Sequence, residues 1–234
     1  IKIHSKVFQY LKATQSEQFI PFGSAFPNSQ LLSDPKLFQI LGQSAKHAHS
    51  YAQTPSLPPG NFELRKLIAQ RYAMQGIATD PSDIVITSGG LDALNLALQA
   101  TTQHGDSIVL QENSFYGAWQ IAERLGLNVI TVPTHPQTGL DIAALAVILH
   151  QYSIKVCFLM LNSQNPMGYT VSDDDKARIF QLLVQHQVYL IEDDVYEELY
   201  YGDKKPISMK YYDHAHLVLH CSSFSKTLGA GFRI

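Results

Sequence analysis

From about residue 80 onward, short runs of β-branched and other apolar residues alternate with longer stretches whose apolar positions recur every three or four residues. The short runs at 84–87, 107–111, 128–133, 154–161, 188–191 and 216–220 predict strands. Between them, 90–103 reads as a helix with Leu91, Leu94 and Leu98 on its apolar face, and 117–125 as another. Asp141 opens a helix rich in Ala and Leu. Ser172 opens one whose first turn holds Asp173, Asp174 and Asp175, where carboxylates suit the helix dipole. Strands that are apolar nearly throughout, alternating with helices, predict an α/β fold whose parallel or mostly parallel sheet is covered on both faces.

The first 80 residues are patterned differently. Helices are predicted at 7–11 and 35–49, an extended or loop segment at 20–26, and a proline-rich loop at 54–60. A further helix should start at Asn61 or Phe62 and run to about Gln75. No internal repeat is visible. Charged residues make up 16% of the chain and the net charge is −3, so this stretch offers no global basic surface for nucleic acid. Cys157 and Cys221 sit in apolar runs, which points to buried thiols in a reducing compartment. The longest purely apolar stretch, 156–161, is too short to span a bilayer. A soluble protein is expected.

Candidate chemistry collects where strands end. Lys226 follows the predicted strand at 216–220 within Ser222-Ser223-Phe224-Ser225-Lys226-Thr227, and a lysine so placed is a candidate Schiff-base amine. Ser88-Gly89-Gly90 lies between a strand and a helix, where small residues let backbone N–H groups approach a phosphate. Tyr116 follows the strand at 107–111 and could cover a planar ring. Asn165-Pro166-Met167-Gly168 follows the long apolar strand, and Asn165 could hydrogen-bond a phenolate oxygen. Glu192-Asp193-Asp194-Val195-Tyr196 ends the strand at 188–191. Three successive acids ordinarily mark a solvated loop or a metal site, and no His or Cys stands nearby at ligand spacing. His214, His216 and His220 alternate on a predicted strand without carboxylate or thiolate company, so no metal site is expected. All the other elements share one edge, the carboxyl ends of the strands, where open α/β sheets bind ligands.

In their order and spacing, SGG, an aromatic, NPMG, EDDVY, SFSK and Arg233 resemble the fold-type-I pyridoxal-phosphate family, aminotransferase class I/II, over nearly all of residues 20–234. The phrases SLPPGNFELRKLIAQRY, NSQNPMG, EDDVYEELYYG and CSSFSKTLGAGFRI are most similar to the aminotransferase-like domain of MocR-type regulators in the GntR superfamily. The resemblance implies a three-layer αβα, aspartate-aminotransferase-like large domain with a mostly parallel mixed sheet at 46–234, preceded at 1–45 by an N-terminal arm and part of a small domain. It implies pyridoxal 5′-phosphate as cofactor, bound by Ser88, Gly89, Gly90, Tyr116, Asn165, Asp193, Tyr196, Ser223, Lys226 and Arg233, with Tyr51 reaching a partner subunit's phosphate site. Within that set Lys226, Asp193 and Tyr196 are the catalytic residues: Lys226 attaches the cofactor and moves the substrate proton, Asp193 pairs with the pyridine nitrogen, and Asn165 and Tyr196 hold the phenolic oxygen. Tyr116 stacks on the ring, while Ser223, Arg233 and the N–H groups near Gly89 hold the phosphate. The loop with Gly23 and Ser24 resembles the substrate-side entry segment.

Two departures stand out. Leu91 replaces the Gln or Glu common in the regulator-like relatives. The small domain that carries a carboxylate-binding arginine would lie beyond Ile234, and a winged-helix DNA-binding domain would precede Ile1, so a central piece of a longer polypeptide is expected. The implied ligand is a small amino acid or amine, and the implied assembly is a cytoplasmic homodimer with no membrane partner, meeting DNA only through the upstream domain. A stand-alone transaminase, moving an amino group between an amino acid and a 2-oxo acid, shares every pocket residue and stays open. A nucleotide-binding protein is the weaker alternative, because both the GxGxxG and GxxxxGK[ST] signatures are missing.

Overall fold

The computed structural model describes residues 3–14, 16, 18, 20, 23, 25–32, 35–46 and 57–234. Helix α1 spans Ile3–Thr14 and α2 spans Pro35–Ala45. Helix α3, Phe62–Met74, starts where Asn61 accepts a hydrogen bond from the Leu64 N–H and so satisfies one of the free donors of the first turn. Then come α4 (Gly90–Thr101), β1 (Ser107–Gln111), α5 (Tyr116–Leu125) and β2 (Asn128–Val132). A short antiparallel ribbon, β3 (Thr134–His135) with β4 (Gly139–Leu140), precedes α6 (Ile142–Gln151), β5 (Ile154–Leu159), α7 (Asp173–His186), β6 (Tyr189–Asp193) and β7 (Val218–Cys221). Asp141 and Ser172 cap α6 and α7 as expected.

The sheet order is β2-β1-β5-β6-β7, parallel at every pairing. Strand parity divides the core. Val109, Cys157, Leu159, Leu190 and Val218 pack with Leu145, Leu149, Ile179 and Leu183 of α6 and α7. Ile108, Leu110, Val156, Phe158, Ile191 and Cys221 pack on the other face with Leu94, Leu98, Ala118 and Ala122 of α4 and α5. Both thiols are free and buried. Among the described residues no helix is long and apolar enough to cross a membrane.

Two expectations are corrected. Residues 84–87 form no strand: Ile86 N–H bonds the Pro59 carbonyl, and Val85 is 60% exposed. A β-branched run makes a strand only when it pairs with a neighbouring strand over several residues, and among the described residues 84–87 pairs with none. The strand at 216–220 starts later, at Val218, because His216 takes a left-handed φ of 57°. The β3–β4 ribbon has no counterpart in the sequence pattern, two residues per strand being too short for a periodic signal.

Candidate active site

The chain moves outward from β1 to β2 in one direction and through β5, β6 and β7 in the other, so a crevice opens between the carboxyl ends of β1 and β5. Gln111 spans it, donating from Nε2 to the Met160 carbonyl at 3.0 Å and accepting the Met160 N–H at 2.9 Å. Asp193, the last residue of β6, lies on the α4–α5 face and meets a narrow pocket shared with Gln111, Phe115, Ala118, Phe158 and Met160. Its Oδ1 is buried and has no hydrogen-bond partner. Burial pushes this carboxyl up to about 7. The Val195 N–H, His220 and Lys226 pull the other way, while Asp194 adds to the rise.

The strand stops at Asp193 and the chain turns, with Glu197 N–H bonding the Asp194 carbonyl and Leu199 N–H the Tyr196 carbonyl. That turn carries Tyr196 back toward the site, where its hydroxyl is 3.5 Å from Asn165 Nδ2. Burial, then Asp193, raises the Tyr196 phenol to about 12. Lys226 Nζ lies 5.6 Å from the Tyr196 ring centroid and 4.1 Å from that of Phe26, and donates to the Ala25 carbonyl at 3.0 Å. Burial lowers its pKa and Asp193 opposes the change. Beside it Ala25, Ser163, Asn165, Gly168, Tyr196 and Leu199 line an open pocket.

At the N-terminus of α4, Gly89 has φ +93°. The last residues fold back onto 223–226, with Ser223 Oγ donating to the Ile234 carbonyl at 2.7 Å and Arg233 Nη2 to the Ser88 carbonyl at 2.7 Å. Ser88, Gly89, Gly90, Ser223 and Arg233 are thereby collected in one place, a Cβ on Gly90 lying 3.5 Å from Ser223 Cβ. Tyr116 begins α5 and makes an edge contact with Tyr10, ring centroids 6.0 Å apart. Tyr51 and Ser24 lie outside the described residues. The Gly23 carbonyl accepts the Tyr10 hydroxyl.

Sequence reasoning missed Tyr10, Phe26, Gln111 and Met160. Only Gln111 left a usable signal, a polar residue closing the apolar run Ile108-Val109-Leu110. The expectations that no histidine stands near the acids at 192–194 and that His220 lacks carboxylate company are also corrected. Pairing of β6 with β7 sets Glu192 opposite His220, and the donor atoms of Glu192, Asp194 and His220 lie within 4.8 Å of one another. All three acids are buried. Glu192 accepts the Met209 N–H, and Asp194 accepts Asn162 Nδ2 and His220 Nε2, so these groups are engaged by protein partners.

Residues 30–234 match the family described as aminotransferase class I and II. The chain belongs to that family. This aminotransferase-family chain is 48% identical over 234 residues to the uncharacterized HTH-type transcriptional regulator YdcR of Escherichia coli, covering all of this chain and 50% of that protein. It is 27% identical to the 2-aminoadipate transaminase of Thermus thermophilus, over 98% of this chain and 57% of that one. In three dimensions it is similar to the kynurenine aminotransferase of Pyrococcus horikoshii, with a TM-score of 0.89 and 25% identity over 97% of this chain and 57% of that one. The expected fold class is thus met. The chain spans about half the length of the curated relatives it matches.

Proposed function

We propose that this family member binds pyridoxal 5′-phosphate at the carboxyl edge of its sheet, as the effector-binding, aminotransferase-like part of a MocR-type regulator. The observation that carries the cofactor reading is Asp193: a buried carboxyl oxygen without a partner, in a pocket with aromatic walls, fits a protonated pyridine nitrogen. The other donors fit as well. Asn165 and Tyr196 converge on one point that suits a phenolic oxygen, Tyr116 offers a ring face, and Ser223, Arg233 and the N–H groups opening α4 suit a phosphate.

When bound, the cofactor supplies an electron sink for charge developing at the α-carbon of an amino acid or amine. The chain's own residues prepare for this. Partial burial leaves more of the Lys226 amine uncharged and nucleophilic than an exposed lysine would be, as attachment requires. Nζ is then the group positioned to hold and return the substrate proton. An ionised Asp193 keeps the ring nitrogen protonated, and Tyr196 with Asn165 orients the ring.

The regulator reading is supported by the wording of the motifs and by the regulator relative at 48% identity. The transaminase relative keeps turnover as a second reading, since both uses need the same pocket. Residues 46–234 form the cofactor domain and 1–45 the arm and part of a small domain. The working state is a cytoplasmic homodimer to which Tyr51 contributes across the interface, and DNA is met through a separate upstream domain. The test is the visible spectrum of the full-length protein mixed with pyridoxal phosphate, then with a panel of amino acids. A new visible band that responds to one of them supports the reading; an unchanged cofactor spectrum overturns it.

A further inference from the structure

Behind Asp193, on the α6–α7 face of β6, lies a buried polar chain that the site does not use. Lys176 of α7 is fully buried and donates from Nζ to Asn162 Oδ1 and to the Ile207 carbonyl, each at 2.7 Å. Asn162 passes the contact on, its Nδ2 lying 3.1 and 3.2 Å from the two oxygens of Asp194. His220 Nε2 meets Asp194 Oδ2 at 3.2 Å, and its Nδ1 lies 2.5 Å from the Tyr72 hydroxyl of α3. The side chains of Asp194 and His220 are 1% and 3% exposed, so water screens neither.

Alternation along β6 sends Glu192 to this face and Asp193 to the pocket, and just past the strand end Asp194 joins the first face through Asn162 and His220. Three successive buried carboxyls cannot all ionise without nearby cations. We propose that Asp194, His220 and Tyr72 form a positioning relay behind the sheet that fixes the charge of Asp193 on its pocket face. An imidazolium at His220 together with Lys176 offsets Glu192 and Asp194, and this leaves Asp193 free to ionise at neutral pH. Burial opposes the charged ring, but Tyr72, Asp194 and Glu192 hold the His220 pKa well above the usual histidine value. Burial likewise pushes the Glu192 carboxyl up. The ionisable groups acting on Asp193 are Asp194 next to it, His220 and Cys221 on β7, and Lys226 and Tyr196 from the loops, while Glu192 precedes it on β6 and points to the opposite face. Tyr72 and Lys176 reach it through the relay.

The meaning of that charge for the cofactor rests on the function proposed above; the relay is tested without the cofactor. In full-length protein prepared free of pyridoxal phosphate, ¹⁵N NMR should find both His220 ring nitrogens protonated at neutral pH. ¹³C NMR of the aspartate carboxyls, assigned with Asp193→Asn, should show Asp193 titrating near neutrality. His220→Gln should raise that midpoint by about one pH unit, and Tyr72→Phe should raise it by less. A neutral His220 ring in the unaltered protein, or an Asp193 midpoint unmoved in the folded variants, overturns the proposal. If His220→Gln does not fold, Tyr72→Phe and the unaltered protein decide. If the titrations agree but added pyridoxal phosphate gives no visible band, the cofactor reading fails and the relay stands.

Discussion

Arg233 and Gly89 share one small space: a Cβ on Gly89 would lie 2.6 Å from Arg233 Nη2, which itself donates to the Ser88 carbonyl. The guanidinium is the far end of a flexible side chain and could yield, but Gly89 also holds φ +93°, which a side chain resists. Gly89→Ala should therefore cost about 1–2 kcal/mol of stability from backbone strain. It should also displace Arg233 and weaken phosphate binding at least about tenfold, since a charge-assisted bond is worth about 1.5–3 kcal/mol. Denaturant unfolding and cofactor titration measure the two effects separately; an unchanged affinity would remove Arg233 and Gly89 from the phosphate site.

Lys226 should carry the cofactor covalently. Borohydride reduction of the loaded full-length protein, followed by peptide mapping, is expected to place the label on Lys226. Lys226→Ala should lose the label altogether. Label on a different lysine would require a different site.

Asp193 and Asp194 are adjacent yet should behave differently, because one has an unpartnered oxygen in a pocket and the other is bonded to Asn162 and His220. Asp193→Asn should abolish the spectrum of the protonated cofactor ring with little loss of stability. Asp194→Asn should unfold more readily, by about 3 kcal/mol, as expected for breaking a buried charge pair. The reverse pattern would exchange the two assignments.

In the cofactor-free protein, Asp193 should also make stability depend on pH. Its folded pKa, about 7, lies above the ordinary value of 3.8, so the folded state binds the proton more tightly. Its share of stability is then full below about 4 and is lost as pH rises to about 7, by at most about 4 kcal/mol. Glu192 acts in the same direction, so the comparison that isolates Asp193 is unfolding of the unaltered protein against Asp193→Asn across that range. Parallel stability curves for the two would show that Asp193 ionises freely.

Lys176→Met should be among the more damaging changes outside the pocket. It leaves Asn162 Oδ1 and the Ile207 carbonyl without a donor and removes a cation that faces Glu192 and Asp194. A loss of about 3 kcal/mol is expected from urea unfolding. A neutral or stabilising result would mean that the buried acids take up protons instead.

The sequence by itself determined what local chemistry can encode. Strand–helix alternation, the caps at Asn61, Asp141 and Ser172, and apolar strands were enough for an α/β fold with a parallel sheet. Most of the candidate site was legible too, because Asp193 ends a strand, Asn165 and Lys226 lie past strand ends, and parallel strands deliver their ends to one edge. Tertiary structure alone decided the remainder. Whether 84–87 joins a sheet depends on a neighbour to accept its hydrogen bonds, and no local pattern specifies one. Tyr10 approaches Tyr116 only because α1 lies across α5. His220 looked like a bystander until β7 paired with β6 and set it opposite Glu192. Periodicity fixes which face of an element is apolar, whereas partner and register come from the free energy of packing the whole sheet. The buried charges behind Asp193 belong to that second kind of information, since each is tolerable only beside the others.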